Sequence, residues 1–316
     1  MTATVITSDG SRLALPVALE WELTYTAGVP CDSFLYRCPW KGSTDVALDR
    51  WVYFIAEHEG ETVFTGVVDE CIGQWGSSGA TLEVNGRGMA ARLLDNEGLG
   101  QDYMTATLQD ILESYVYPFG VELGEGNTLP SVSPFQVSSG ASAWSVLYEF
   151  CNYYGGVLPR FNKEGKLLLS AWESGQSLLV DDKVAVTGLR SCYRRCGVLS
   201  EVWVRDRVAQ VVNKVEDSEL LGQGICMRKV ITMPARSNLQ TMEYSGQFHL
   251  DQAKGEGYRL ELTLVGLHFL EPGQLVEISR SDWWDNGVYR LVEAEVSLSE
   301  RGGVTRLELA RRDVVL

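Results

Sequence analysis

Along the first 95 residues the apolar positions recur with the two-residue period of β-strands. In "TLEVNGRG" Leu82 and Val84 fall on one side and Thr81, Glu83 and Asn85 on the other, the mark of a half-buried strand. "ALEWELTYTAG" and "SFLYRCP" are runs of the same kind, rich in aromatic and small apolar residues. "WVYFIAEHEGETVFTGVVDECI" predicts two strands around a turn at Glu57–Glu61 centred on Gly60. Val63–Ile72 is apolar on both faces, with Phe64, Val68 and Ile72 opposite Val63, Val67 and Cys71. Such a strand suits a barrel whose outer face meets another body, since a lone barrel would leave that face wet.

Between 96 and 180 the period lengthens to that of helices. Thr107 caps a run with Leu108, Ile111, Leu112 and Tyr115 on one face, Asp110 at the capping-box position and Pro118 beyond its end. A second helix starts near Ser142, aligns Leu147, Phe150, Cys151 and Tyr154, and stops at Gly155-Gly156. "VLPRFNKEGKLLLSAW" then reads as a hairpin turning at Lys163–Lys166. Helices are expected to concentrate in about 96–155, which makes 96–180 a small α+β domain between 1–95 and 181–316.

From 181 onward the pattern returns to strands. Val292, Ala294, Val296 and Leu298 alternate with Glu293, Glu295 and Ser297; after Gly302-Gly303, Thr305, Leu307 and Leu309 alternate with Arg306 and Glu308. Glu293 or Glu295 can pair with Arg306 across the strands. The two ends also resemble each other. Residues 50–87 and 272–312 both read strand, turn, strand, glycine turn, strand, with Phe54, Val68 and Leu82 matching Glu277, Val292 and Leu307. The fold class expected is therefore α+β and β-rich.

Composition removes several function classes. The 316 residues are 45% hydrophobic, enough for real cores, yet no apolar run approaches the ~20 residues of a membrane helix, so no membrane insertion is expected. "MTATVITSDGSRLAL" lacks a basic start and a long apolar stretch, so the expectation is a chain folded in a cytoplasm. Seven cysteines fit reduced, buried thiols better than a disulfide framework, and Cys192 and Cys196 in "CYRRC" match neither a redox pair nor a zinc knuckle. The net charge is -15, with 13 acids against 6 bases in 1–95, 9 against 3 in 96–180 and 20 against 18 in 181–316. No basic patch grips phosphates, which argues against specific nucleic-acid binding.

The candidate chemistry is thin. Asn85-Gly86-Arg87-Gly88 before Met89–Leu94 resembles a phosphate loop, but no Lys-Ser/Thr pair follows; the reading is a strand leaving a barrel into a short helix. Of three histidines, His58 is read as a solvated turn residue, and none has metal-ligand spacing. Asp69-Glu70 cannot converge on one glycosidic bond, because adjacent strand residues point to opposite faces. No catalytic residue, cofactor or metal is expected. "SDWWDNG" offers Trp283 and Trp284 as a sugar platform, though "DNG" is a hairpin-turn signal and aromatics at turn flanks commonly pack on a partner.

The order of parts, "FTGVVDE…LEVNGRGMAARLLD", "TATLQDILESY", "SAWSVLYEFCNYYGGVLPRFNKEGKLLLS", then "PGQLVEIS…GVYRLVEAEVSLSERGGVTRLEL", resembles the central baseplate hub proteins of contractile phage tails. This late-control-D-like family is related to the spike-carrying proteins of bacterial injection machines. The resemblance spans nearly the whole chain and rests on order rather than invariant residues. It implies two tube-like β-barrel domains, 1–95 and 181–316 (the second with accessory strands), flanking the small α+β domain. It also implies a homotrimer in the virion tail baseplate, assembled in the host cytoplasm, that joins a hexameric tail tube protein to a three-fold central spike protein beside other baseplate or wedge proteins. DNA would pass through without specific binding. Val63, Val67, Trp75, Trp283 and Trp284 are the expected inter-subunit or partner contacts. The competing reading is a stand-alone β-rich module that binds carbohydrate or protein.

Overall fold

The computed structural model describes residues 1–27, 31–40, 47–77, 79–125, 128–153, 157–170, 172, 178–206, 209–233 and 239–314. The first stretch of chain forms β1 (Thr2–Thr7), β2 (Arg12–Ala14), β3 (Glu20–Thr26), β4 (Ser33–Pro39), β5 (Trp51–His58), β6 (Glu61–Gly76) and β7 (Gly79–Gly88). Helix α1 (Ala91–Leu94), β8 (Gln101–Tyr103), α2 (Leu108–Tyr115), β9 (Phe135–Val137), α3 (Ala143–Asn152), β10 (Arg160–Phe161) and β11 (Leu167–Leu168) follow. Then come β12 (Leu178–Asp181), β13 (Val186–Tyr193), β14 (Glu201–Asp206), β15 (Val212–Glu216), α4 (Ser218–Gly222), β16 (Arg228–Met233) and α5 (Leu239–Gly255). The chain ends with β17 (Tyr258–Val265), β18 (Leu275–Ser279), β19 (Gly287–Ser299) and β20 (Gly302–Arg311).

Local chemistry explains the turns. Between β5 and β6, Glu59 (φ 52°) and Gly60 (φ 86°) both take left-handed backbone, the two-residue turn whose twist matches its flanking strands. The α2 capping box forms as read: the Thr107 hydroxyl accepts from the Asp110 amide, and the Asp110 carboxylate accepts from the Thr107 amide. Ser142 caps α3, which buries Leu147, Phe150 and Cys151. Tyr154, Gly155 and Gly156 lie outside the described residues. The β10–β11 hairpin turns over 162–166 with Gly165 at φ 77°.

Thirteen strands of the described residues form one sheet, ordered β13-β17-β20-β19-β3-β4-β7-β6-β5-β1-β2, with β12 joined through β18 to β19. Within it one arrangement occurs twice. Strands β1, β3, β4, β5, β6, β7 lie as β1-β5-β6-β7-β4-β3, and β12, β13, β17, β18, β19, β20 lie as β12-β18-β19-β20-β17-β13. Numbered along the chain, both series run first, fourth, fifth, sixth, third, second. The middle strands agree residue by residue. Gly66 faces Gly88 and Tyr289 faces Arg311, a shift of 223 for both partners, and the bulges at Asp69 and Val292 differ by the same 223. The direction of one pairing differs: β1 is antiparallel to β5, whereas β12 is parallel to β18.

Several sequence expectations need correction. The repeat is offset from the spacing read above: Phe54 corresponds to Val276, Val68 to Leu291 and Leu82 to Thr305, because turn lengths and bulges are invisible to a count of apolar positions. The Asp69 bulge also reverses the phase of β6, so Cys71 joins Val68 against the core while Ile72 turns outward. Helices are not confined to 96–155. The 17-residue α5 lies in an insertion between β13 and β17, where it packs Met242 and Leu250 on Val202 and Val204 of β14. Its sequence has weak amphipathicity and Gly246 in its interior, since a side chain there would meet Val215 and Val204.

The largest core draws on both series, from Val5, Phe34, Phe54 and Phe64 to Leu262, Leu291 and Leu309. Phe34 stacks on Phe54 with ring centroids 4.0 Å apart, over Gly86. A Cβ at Gly86 would stand 2.0 Å from the Val67 carbonyl oxygen and 2.8 Å from the Phe34 ring, whereas one at Gly73 meets nothing within 4 Å. The first glycine of "NGRG" is thus required by packing. Gly86→Ala should lower stability by about 3 kcal/mol in denaturant unfolding and Gly73→Ala by a few tenths; equal effects would contradict this packing.

Candidate assembly interface

The long strands β6 and β19 reach beyond β5 and β18, and the distal segment of β19 is where the two series meet. One edge of β19 pairs with β20 from Tyr289 to Ser299. Its other edge pairs first with β18, up to Arg290, and then with β3, Glu293 to Leu298 against Thr26 to Trp21. That second contact is the joint between the series. Tyr25, Leu23 and Trp21 enter the core beside Ala294 and Val296, and the Trp21 ring stacks on Phe269 at 6.1 Å. On the solvent side Glu295 holds Arg306, the cross-strand pair expected from sequence, while Glu293 faces Glu308 instead.

The corresponding stretch of β6 carries no such partner among the described residues. β5 covers β6 only as far as Val67, so Glu70–Gly76 pairs with β7 alone. At its tip Trp75 is 87% exposed, and Ile72 is exposed beside it. β13 is the terminal strand at the far end of the sheet, paired on one edge with β17. Unpaired strand edges are association surfaces by default, because their amides and carbonyls are already aligned for another strand.

The five expected contact residues are not brought together. Val63 is buried in the chain's own core at a bulge between β5 and β6, its carbonyl accepting from the Tyr25 hydroxyl at 2.7 Å, so it has no surface to give a partner. Val67 is half-buried in mid-strand between Tyr53 and Arg87. Trp75 sits at the β6–β7 tip, and Trp283 and Trp284 sit in the β18–β19 loop, at the opposite end of the equivalent strand. In that loop Asn286 donates to the Arg280 and Trp283 carbonyls and accepts from the Arg280 amide. The hydroxyls of Tyr193, Tyr258 and Tyr289 all donate to the Asp285 carboxylate, with Arg311 over the Tyr258 ring at 3.9 Å. This network holds Trp283 half-buried with the Trp284 ring 4.0 Å away. The two rings are tilted by 33° and Trp284 is left 77% exposed.

Candidate chemistry elsewhere is also rearranged. His58 is not a solvated turn residue: its ring packs 4.8 Å from Phe269. Cysteines are free, but Cys38 and Cys151 alone are buried while Cys196 and Cys226 are exposed, so the expectation of buried thiols holds for only part of the set. Asp69 is bound by Arg87, which also holds Asp95, so the carboxylate braces the bulge against the chain leaving β7. A cavity between the first series and the middle region is lined by Asp32, Trp144, Tyr148, Arg160 and Trp172. Burial pushes the Asp32 carboxyl up to about 7, against the lowering effect of its bond from the Thr26 amide at 2.8 Å. A lone neutral carboxyl there can donate a proton, but the described lining holds neither cysteine, serine nor histidine as a nucleophile. No cluster of His, Cys, Asp or Glu among the described residues could hold a metal, and no described helix is long and apolar enough to cross a membrane.

Comparison of the fold finds tail proteins. The chain is similar to a tail protein of Neisseria meningitidis, with a TM-score of 0.79, 17% identity and coverage of 99% of this chain and 96% of that one. It is similar to the 43 kDa tail protein of prophage MuSo2 from Shewanella oneidensis, with a TM-score of 0.75, 18% identity and coverage of 99% and 98%. An Escherichia coli component of the type VI secretion system, itself similar to the bacteriophage T4 tail proteins gp27 and gp5, aligns with a TM-score of 0.61, 12% identity and coverage of 95% and 75%. No protein-family model matches the sequence. No curated protein matches it either. The chain therefore has the fold of phage tail and injection-machine proteins over nearly its full length.

The raised Asp32 carboxyl has a signed consequence. Its folded pKa lies above the ordinary 3.8, so folding favours the protonated form; the penalty is absent at low pH, grows as pH climbs from about 4 to about 7, and is complete above. Asp32→Asn keeps the acceptor for the Thr26 amide and removes the charge. Its melting temperature should exceed that of the parent at about pH 8, and the gap should close near pH 4. A gap that widens on acidification would refute a buried neutral Asp32.

Proposed function

We propose that this chain is the structural hub of the tail baseplate of a contractile phage or a related injection machine. In this reading three copies form a ring that joins the hexameric tail tube to a three-fold spike. The observation that carries it is the doubled strand series: the same six-strand order and the same bulge, separated by 223 residues in the middle strands. A tube with six equivalent contacts needs six similar surfaces, and a trimer supplies them by presenting each surface twice. Residues 1–95 and 181–316 would be the two tube-like barrel domains, related by a rotation near 60° about the trimer axis, with 96–180 as the small α+β domain between them. The fold shared with tail proteins supports this assignment.

The remaining features fit a passive conduit. A net charge of -15 would repel DNA passing through the ring rather than retain it. The role is non-enzymatic, and Trp75, Trp283 and Trp284 would contact neighbouring subunits, tube, spike or wedge proteins rather than a sugar. Cryo-EM of an assembled tail containing this chain tests the proposal. Three copies at the tube–spike junction are expected, with both strand series of each copy superposing on one ring; any other copy number there would refute it.

A further inference from the structure

The internal repeat contains a joint in one place and its two unjoined halves in another. The joint is β3 on the distal edge of β19, with Glu293 opposite Thr26 and Leu298 opposite Trp21. The shift of 223 carries Glu293 to Glu70 and Leu298 to Trp75, the stretch of β6 whose edge is uncovered among the described residues. The counterpart of β3 follows from register alone. Leu23 pairs with Phe34 and Phe34 with Gly86; Ser191 pairs with Leu260 and Leu260 with Leu309, which is Gly86 shifted by 223. Leu23 therefore corresponds to Ser191, and β3 to β13, the strand that ends the sheet. What the chain does once within itself, it leaves undone among the described residues, with one uncovered edge of each type.

We infer that Glu70–Trp75 of one copy pairs antiparallel with Leu189–Arg194 of a second copy, as Glu293–Leu298 pairs with Trp21–Thr26 inside each chain. This rests on the ring reading above and names its subunit contact. Register places Glu70 opposite Arg194, Cys71 opposite Tyr193, Ile72 opposite Cys192 and Trp75 opposite Leu189. The residues suit these places. Trp75–Leu189 repeats the Leu298–Trp21 pair with the partners exchanged, and Tyr193 takes the position of Tyr25. The β6 segment begins with Glu70, while the end and exit of β13 carry Arg194 and Arg195, so the two edges bring opposite charge. Tyr193 is 67% exposed and Trp75 87%, although their counterparts Tyr25 and Leu298 are buried or half-buried in the joint. A pocket lined by Val186, Leu189, Arg280 and Trp283 flanks the β13 edge where Trp75 would arrive. Each copy offers one edge and accepts one, a head-to-tail contact that closes into a ring.

Oxidative cross-linking of the full chain tests the register, because the partner strand positions already hold cysteines. Facing residues in an antiparallel pair stand about 4.5 or 5.5 Å apart between Cα atoms, both within disulfide reach. Ile72→Cys should bridge to Cys192 of a second copy and Tyr193→Cys to Cys71, giving disulfide-linked dimers and trimers at least several-fold above the unsubstituted chain. Gln74→Cys, whose register partner is Arg190, should not. Ile72 is exposed, so its replacement leaves folding intact even if loss of the Tyr193 hydroxyl does not. Bridged peptides identified by mass spectrometry fix the pairs. A trimeric native mass without either bridge overturns the edge pairing and leaves the three-copy ring standing. A chain that stays monomeric and unbridged also overturns the pairing, and the copy number in the assembled tail then judges the ring separately.

Discussion

The architecture depends on one contact, the antiparallel pairing of β3 with the distal half of β19. Backbone hydrogen bonding along that edge turns two copies of a strand series into one continuous sheet, and the side chains it aligns close one core across both. Trp21, Leu23 and Tyr25 could not be buried by the first series alone; Ala294, Val296 and Phe269 complete their surroundings. The bulge at Val292 makes the contact possible, because it shifts the phase of β19 just where its partner on that edge changes from β18 to β3. A bulge at the same place in β6 prepares that strand for a similar change of partner.

Around this joint the other parts are insertions that leave the sheet intact. Residues 89–177 depart after β7 and return at β12, with their own core around Ile111, Leu147, Phe150 and Leu167. The β14–α5 unit departs after β13 and returns at β17, where the buried Arg259 side chain donates to Glu308 of β20 and to Glu256 at the end of α5. That anchor ties the insertion to the sheet by a charge-assisted bond in a place where an unpaired guanidinium would be costly. Energetically each insertion packs within itself, which explains how a repeat can survive when its halves are separated by other chain.

The polar groups serve the same end. Arg87 fixes the Asp69 bulge, Asp285 gathers three tyrosine hydroxyls and so sets the β18–β19 loop, and Asp32, its pKa raised by burial, accepts from the Thr26 amide. Each is a group held in place by its neighbours, and together they set where edges and loops of the sheet stand.

The sequence by itself determined the strand alternation, the capped helices at Thr107 and Ser142, the turn at Gly60 and the existence of a repeat, because each is written in patterns of residues a few positions apart. It also indicated that Glu293 or Glu295 pairs with Arg306, and the structure forms the second of these. Only the tertiary structure decided the register of the repeat, since a single bulge inverts every following side chain without altering the apolar count. Helix α5 was illegible for a related reason: its burial comes from β14 and β15, which supply the apolar face that its own sequence marks weakly. The joint between β3 and β19, and the two edges uncovered among the described residues, could not be read from the chain at all. Strand pairing is a backbone interaction between segments 267 residues apart at Thr26 and Glu293, and no side-chain pattern within either segment records which edge it will meet.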